Sequence, residues 1–188
     1  MCAGGALGLD ESQRAAFRDA MHAAREVLRS SRQDYADGSA TAQDVHDQAA
    51  QAVVQLREAL QEILSEDQFN TVTEHMSERT ARMAERRLEH LGEGIERRVG
   101  FLTKVLDLDE TEVQAVQDAL ATLLPRWEEL FAGIQTGDVA FADALYQSIL
   151  IHEAAKDILG SILDEEQMER LGMLRRLLPG PRPIQIYL

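Results

Sequence analysis

The sequence predicts an all-α protein: two tandem antiparallel helical-hairpin units forming one elongated, pseudo-symmetric helical bundle. Three observations predict it. Four prolines and twelve glycines in 188 residues, few aromatics, and many Ala, Leu, Gln, Glu and Arg make a composition suited to helices rather than sheets. Four capping boxes mark four helix starts. The chain also repeats itself, and a shift of 99 residues aligns Leu7-Gly8-Leu9-Asp10-Glu11 with Leu106-Asp107-Leu108-Asp109-Glu110. The same shift aligns Ile63 to Gln68 with Ile162 to Gln167 without a gap, and matches Asp19 with Asp118, Gly38 with Gly137, Asp44 with Asp143 and Leu60 with Leu159. Duplication of one unit explains this pattern. A chain of this length can bury a real core, so neither disulfides nor a metal is needed for stability.

The boxes are Asp10-x-x-Gln13, Ser65-x-x-Gln68, Asp109-x-x-Glu112 and Asp164-x-x-Gln167. In each, the first side chain accepts from a free amide of the opening turn while the last reaches back to the cap. A leucine precedes every box, and Phe69, Val113 and Met168 sit where a hydrophobic staple needs them. From the first box, Phe17, Met21, Ala24, Leu28 and Tyr35 recur at helical spacing, so a helix runs over 10–36 and stops at Asp37-Gly38. Val45, Ala49, Val53, Leu56, Leu60 and Ile63 form a second stripe that leads into the Ser65 start. The third stripe, over 66–106, is one long helix broken near 92–94 by Gly92 and Gly94, or two helices in sequence. One further helix carries Val113, Leu120, Trp127, Leu130 and Ile134 and should kink at Pro125. Phe141 to Ile162 line the next helix, and a short one over 165–178 ends at Pro179-Gly180-Pro181. The domain reading is therefore a disordered start at 1–8, a first unit with its long connecting helix at 9–106, a second unit at 107–178 and an extended tail at 179–188.

A net charge of −14, with both halves acidic, excludes nucleic acid as a partner. No stretch reaches the roughly 20 apolar residues of a membrane span. The single cysteine, Cys2, excludes an internal disulfide. Met1 to Gly5 reads either as a plain start or as an initiator Met placed before a lipid-bearing Cys2, and membrane attachment would come only through that lipid.

A helical hairpin bounded at both ends by Leu-(Thr/Ser/Asp)-x-x-Gln resembles the Spy/CpxP-like family of bacterial envelope proteins, named for its LTxxQ motif. The matching segments are Leu9 to Gln13, Leu64 to Gln68 and Leu163 to Gln167, with Leu108 to Glu112 a variant that ends in Glu. The resemblance implies a periplasmic or cell-envelope location. It also implies a curved antiparallel dimer, which the two copies here would reproduce as a pseudo-dimer within one chain. ATP-independent chaperone or stress-sensing activity toward protein clients or partner subunits is implied too, and relatives bind or sense heavy metals. Two departures are the strong acidity and the lack of a basic-plus-apolar leader before the first helix.

Because metal-sensing relatives cluster His with Glu and Met, the resemblance points to Met21-His22, to His75-Met76 and to His90, with Asp19 completing the one acid-x-x-His pair. Spacing alone supports no metal site, since no His-x-x-x-His pair and no Glu-x-x-His pair occurs. No resident cofactor is expected, and a transition metal is the alternative. His152 and His46 lie on apolar stripes and are expected to be hydrogen-bonded core histidines. Arg79, Arg82, Arg86, Arg87, Arg97 and Arg98 interleave with glutamates, which predicts a salt-bridged, solvated helix face. Met76 and Met83 are expected in the core. The tail from Pro181 to Leu188 alternates apolar residues like a short strand, and reads either as a frayed end or as a segment that packs back or docks. No catalytic constellation is present. The functional expectation is a non-enzymatic envelope binding protein. Its alternatives are a metal-binding sensor or resistance protein of the same fold, and a structural subunit of a larger assembly.

Overall fold

The computed structural model describes residues 8–177, and over them the protein is helical, with no strand. Residues 1–7, with the candidate lipidation site Cys2, and the tail at 179–188 lie outside the described residues.

All four capping boxes form. Asp10 caps α1 (Glu11–Ala36), with Gln13 N–H donating to Asp10 Oδ1 at 2.8 Å and Asp10 N–H donating back to Gln13 Oε1 at 3.1 Å. Ser65 and Gln68 do the same for α3 (Glu66–Glu89), Asp109 and Glu112 for α5 (Glu110–Ala121), and Asp164 and Gln167 for α8 (Glu165–Leu177). A fifth box, Thr41 with Asp44, opens α2 (Ala42–Ile63). Each such cap contributes about 1 kcal/mol.

Two stretches break where a helix could have continued. His90 separates α3 from α4 (Leu91–Leu106), which leaves Gly92 and Gly94 in the opening turn of α4. The helix expected across Pro125 is two helices, α5 and α6 (Leu124–Thr136), rather than one kinked rod. Proline lacks the N–H that would bond back to residue 121 and its ring crowds that carbonyl, so the chain ends one helix and starts another. Pro125 then occupies the first turn of α6, where an amide has no helical partner to lose. The last long helix is α7 (Phe141–Gly160).

Left-handed backbone occurs among the described residues at Gly8, Gly38, Asp107 and Gly137, with φ of 60°, 77°, 54° and 81°. These are two pairs of repeat-equivalent positions, Gly8 with Asp107 and Gly38 with Gly137. A Cβ at Gly38 would meet nothing within 4 Å, so substitution there is penalised by backbone strain alone. Gly38→Ala is accordingly expected to cost about 1 kcal/mol, seen as a lower urea midpoint at unchanged slope.

The chain divides into two compact units. One comprises residues 8–82 together with Ala140–Tyr146. In it α1 and α2 pack on each other, and Leu9, Met21, Ala24, Leu56, Leu60, Leu64 and Val72 form a continuous core against which Phe17, Phe69 and Met76 also lie. The alanines at 24, 49 and 52 let the helix backbones approach closely. The other unit comprises Met83–Val139 and residues 147–177. There α4 packs on α5 and α8, with Leu102, Leu106, Val116, Leu120, Leu130 and Phe131 among its buried residues.

Ser31 is fully buried on α1, and its hydroxyl has no hydrogen-bond partner among the described residues. Its repeat-equivalent, Leu130, is buried as completely. A stranded hydroxyl is destabilising, so Ser31→Ala should raise unfolding free energy by about 1 kcal/mol. A lower urea midpoint for that variant would show that the hydroxyl is satisfied after all.

Candidate functional site

A polar cluster in the first unit centres on His46, where positions 99 residues apart differ in sequence. At the start of α2, Thr41 and Asp44 close a capping box: Asp44 Oδ2 accepts from Thr41 N–H at 2.8 Å and from Thr41 Oγ1 at 2.6 Å. At the start of α7 the repeat keeps the acid as Asp143 but replaces the threonine with Ala140, which has no side chain to close a box. The Asp143 carboxylate turns elsewhere, and its Oδ1 lies 3.0 Å from His46 Nε2.

The opposite ring nitrogen, His46 Nδ1, lies 2.9 Å from Asp47 Oδ1. Gln43, one turn earlier on α2, donates its amide to the same Asp47 oxygen at 2.8 Å and sits 3.3 Å from Nδ1. Tyr146 meets the imidazole edge to face with centroids 5.7 Å apart. The His46 side chain is 25% exposed, so it is an edge histidine held between carboxylates rather than the core histidine its apolar stripe suggests. The hydrogen bond to Asp47, then that to Asp143, raises the His46 pKa above the ordinary 6.5. The same contact with His46, followed by the Gln43 amide, holds Asp47 below the usual carboxylate value of 3.8.

These directions set a pH window. The raised histidine contributes stability that is complete below about pH 6.5 and is lost as pH rises through its folded value. The depressed aspartate contributes stability present above about pH 3.8 and lost as pH falls through its folded value. The cluster is therefore most stabilising between these limits. Wild type should exceed His46→Gln in urea midpoint by more at pH 5.5 than at pH 8.5, and an equal gap at both would contradict the ring's charged pairing.

The metal candidates are not brought together. Asp19 and His22 are both about three-quarters exposed, paired with Arg18 and Glu26 respectively. His75 is exposed, and His90 lies beside Glu93 at 3.4 Å. Met21 is buried and Met76 packs on the core, so in each Met-His pair the thioether turns inward while the imidazole turns out. Successive residues on a helix point about 100° apart, which makes that divergence the default. Among the described residues no group of three or more His, Cys, Asp or Glu side chains is arranged to hold a metal.

His152, in the second unit, is half-buried, and its Nδ1 donates to the Ser148 carbonyl at 2.6 Å. Its ring stands edge-on to Trp127, which stacks on Phe131. On the arginine-rich stretch, Arg82 pairs with Glu78 and Arg97 with Glu93, both at helical spacing.

A second arrangement recurs in both units. Gln13 Nε2 donates to Gln68 Oε1 at 3.1 Å and to the Ile63 carbonyl at 3.0 Å. Gln167 Nε2 donates to Glu112 Oε1 at 3.0 Å. In each unit the last residues of two capping boxes therefore bond to each other, and two separate helix starts are tied together.

Reasoning from the sequence singled out His46 but missed Asp47, Asp143, Gln43 and Tyr146 as its partners. A signal was present: the repeat preserves the acid of the Thr41 box and discards its threonine, leaving one carboxylate without local work. Compared with known proteins, the chain matches no family model, no curated protein and no solved structure.

Proposed function

We propose that this chain is a non-enzymatic binding protein of the Spy/CpxP-like type, in which two copies of one helical unit stand in for two subunits and hold unfolding protein clients in the bacterial envelope. The observation that carries this reading is the pairing of capping boxes, Gln13 with Gln68 and Glu112 with Gln167. The motif that prompts the resemblance does more than cap helices. Its terminal Gln or Glu locks one motif to the next within each copy, a reason for the copies to retain it at both ends. The equivalent left-handed positions, Gly8 with Asp107 and Gly38 with Gly137, support the same duplication at the level of the backbone.

The net charge of −14 gives the reading a direction. A surface of that sign repels acidic clients and attracts basic ones, and the attraction weakens as salt screens it. The test is light scattering of a reduced basic model client and of an acidic one, each mixed with the purified protein without nucleotide at low and high salt. The expected result is suppressed aggregation of the basic client at low salt, lessened at high salt. Unchanged aggregation of both clients at stoichiometric excess would overturn the proposal.

A further inference from the structure

We propose that His46 is a proton-operated latch: in its imidazolium form it pins the opening turn of α7 to α2, and loss of the proton loosens residues 141–146. The argument starts from donor count. Both ring nitrogens lie within hydrogen-bond distance of a carboxylate oxygen, Nδ1 of Asp47 at 2.9 Å and Nε2 of Asp143 at 3.0 Å. A carboxylate only accepts, so both contacts are satisfied at once only when both nitrogens carry protons. A neutral ring has one N–H and must turn a lone pair toward one of the two anions.

The two contacts are unequal. Asp47 lies next to His46 on the same helix and keeps the Gln43 amide as a donor whatever the ring does. Asp143 reaches across from α7, and among the described residues the imidazole is the group it bonds. Deprotonation in either tautomer also removes the positive charge set between Asp47 and Asp143, leaving carboxylates that repel one another. Tyr146 meets the ring in a T-shaped contact. The last turns of α1, which packs on α2, carry Arg32, Asp34, Tyr35 and Asp37. Asp143 is thus the carboxylate free to leave, and the opening turn of α7, which keeps the burial of Ala142, Ala144 and Leu145, then opens more readily. The repeat explains how the latch arose: the box that occupies Asp44 in the first copy is lost in the second with Ala140.

The test is backbone hydrogen exchange of residues 141–146 in the full chain at pH 5.5 and pH 8.5, corrected for intrinsic rates, alongside an NMR titration of the histidines with His46→Gln used for assignment. In wild type, corrected protection of this segment should fall roughly three- to tenfold at the higher pH, the size of one hydrogen bond's net contribution. Protection in α3 should not change. Asp143→Asn should show the lower protection at both pH values and bring the His46 titration to lower pH. Asp143 is more than half exposed, so the variant should fold, and circular dichroism checks that it does. Equal protection at both pH values in wild type would overturn the latch, as would pH-dependent loss that persists in Asp143→Asn.

Discussion

Leu130→Ala is expected to lower the free energy of unfolding by about 2–5 kcal/mol. Leu130 sits on α6 with no exposed surface, beside Phe131 and Ile134, which are also buried. Removing its branched end forfeits the transfer energy of the lost carbons and leaves a cavity that rigid neighbours fill only in part. The natural comparison is Val54→Ala on α2. That side chain is 54% exposed, and its truncation should fall within about 0.5 kcal/mol of wild type. Urea unfolding of both variants, with unchanged slopes, measures the contrast. Similar midpoints for the two would show that α6 does not present this face to the core.

Gln167→Ala is expected to cost about 2 kcal/mol, because the lost amide is bonded to a charged acceptor and sits in a buried place. Its Oε1 accepts from Asp164 N–H at 2.9 Å, and its Nε2 donates to Glu112 at 3.0 Å. Truncation strands the Asp164 N–H and takes a donor from Glu112, whose other oxygen keeps the Asp109 N–H, whereas an exposed cap typically costs about 1 kcal/mol. Gln167→Glu sharpens the test. It can still close the box with Asp164 but sets a second carboxylate against Glu112, so its deficit should be large at pH 7 and shrink as pH falls toward 4. A deficit independent of pH would mean that the two helix starts are not in contact. Gln13→Ala should cost less than Gln167→Ala, since Gln13 is only part-buried and its acceptors, Gln68 and the Ile63 carbonyl, are neutral.

Positions 99 residues apart differ informatively: Ser31 is matched by Leu130, and Thr41 by Ala140. One difference accompanies an unpartnered hydroxyl among the described residues, and the other a carboxylate that reaches His46.

Helix starts, turns and the all-helical class were legible because their causes are local. A cap needs two side chains three residues apart, a left-handed turn needs a glycine or a tolerant aspartate, and an apolar stripe needs only the pitch of the helix. These interactions are complete within a turn or two of chain, so the sequence by itself determined them. Tertiary structure decided what those local rules leave open. It made two helices of the stretch around Pro125, turned Met21 and Met76 inward while His22 and His75 face out, and left the Ser31 hydroxyl without a partner among the described residues. It also drew Asp143 to a histidine 97 positions away, and joined box to box through Gln13 with Gln68 and Glu112 with Gln167. Each of these depends on which helix faces pack and in what register, and no periodicity encodes that, because a carboxylate released from its own cap can be claimed by any donor that packing brings within 3 Å.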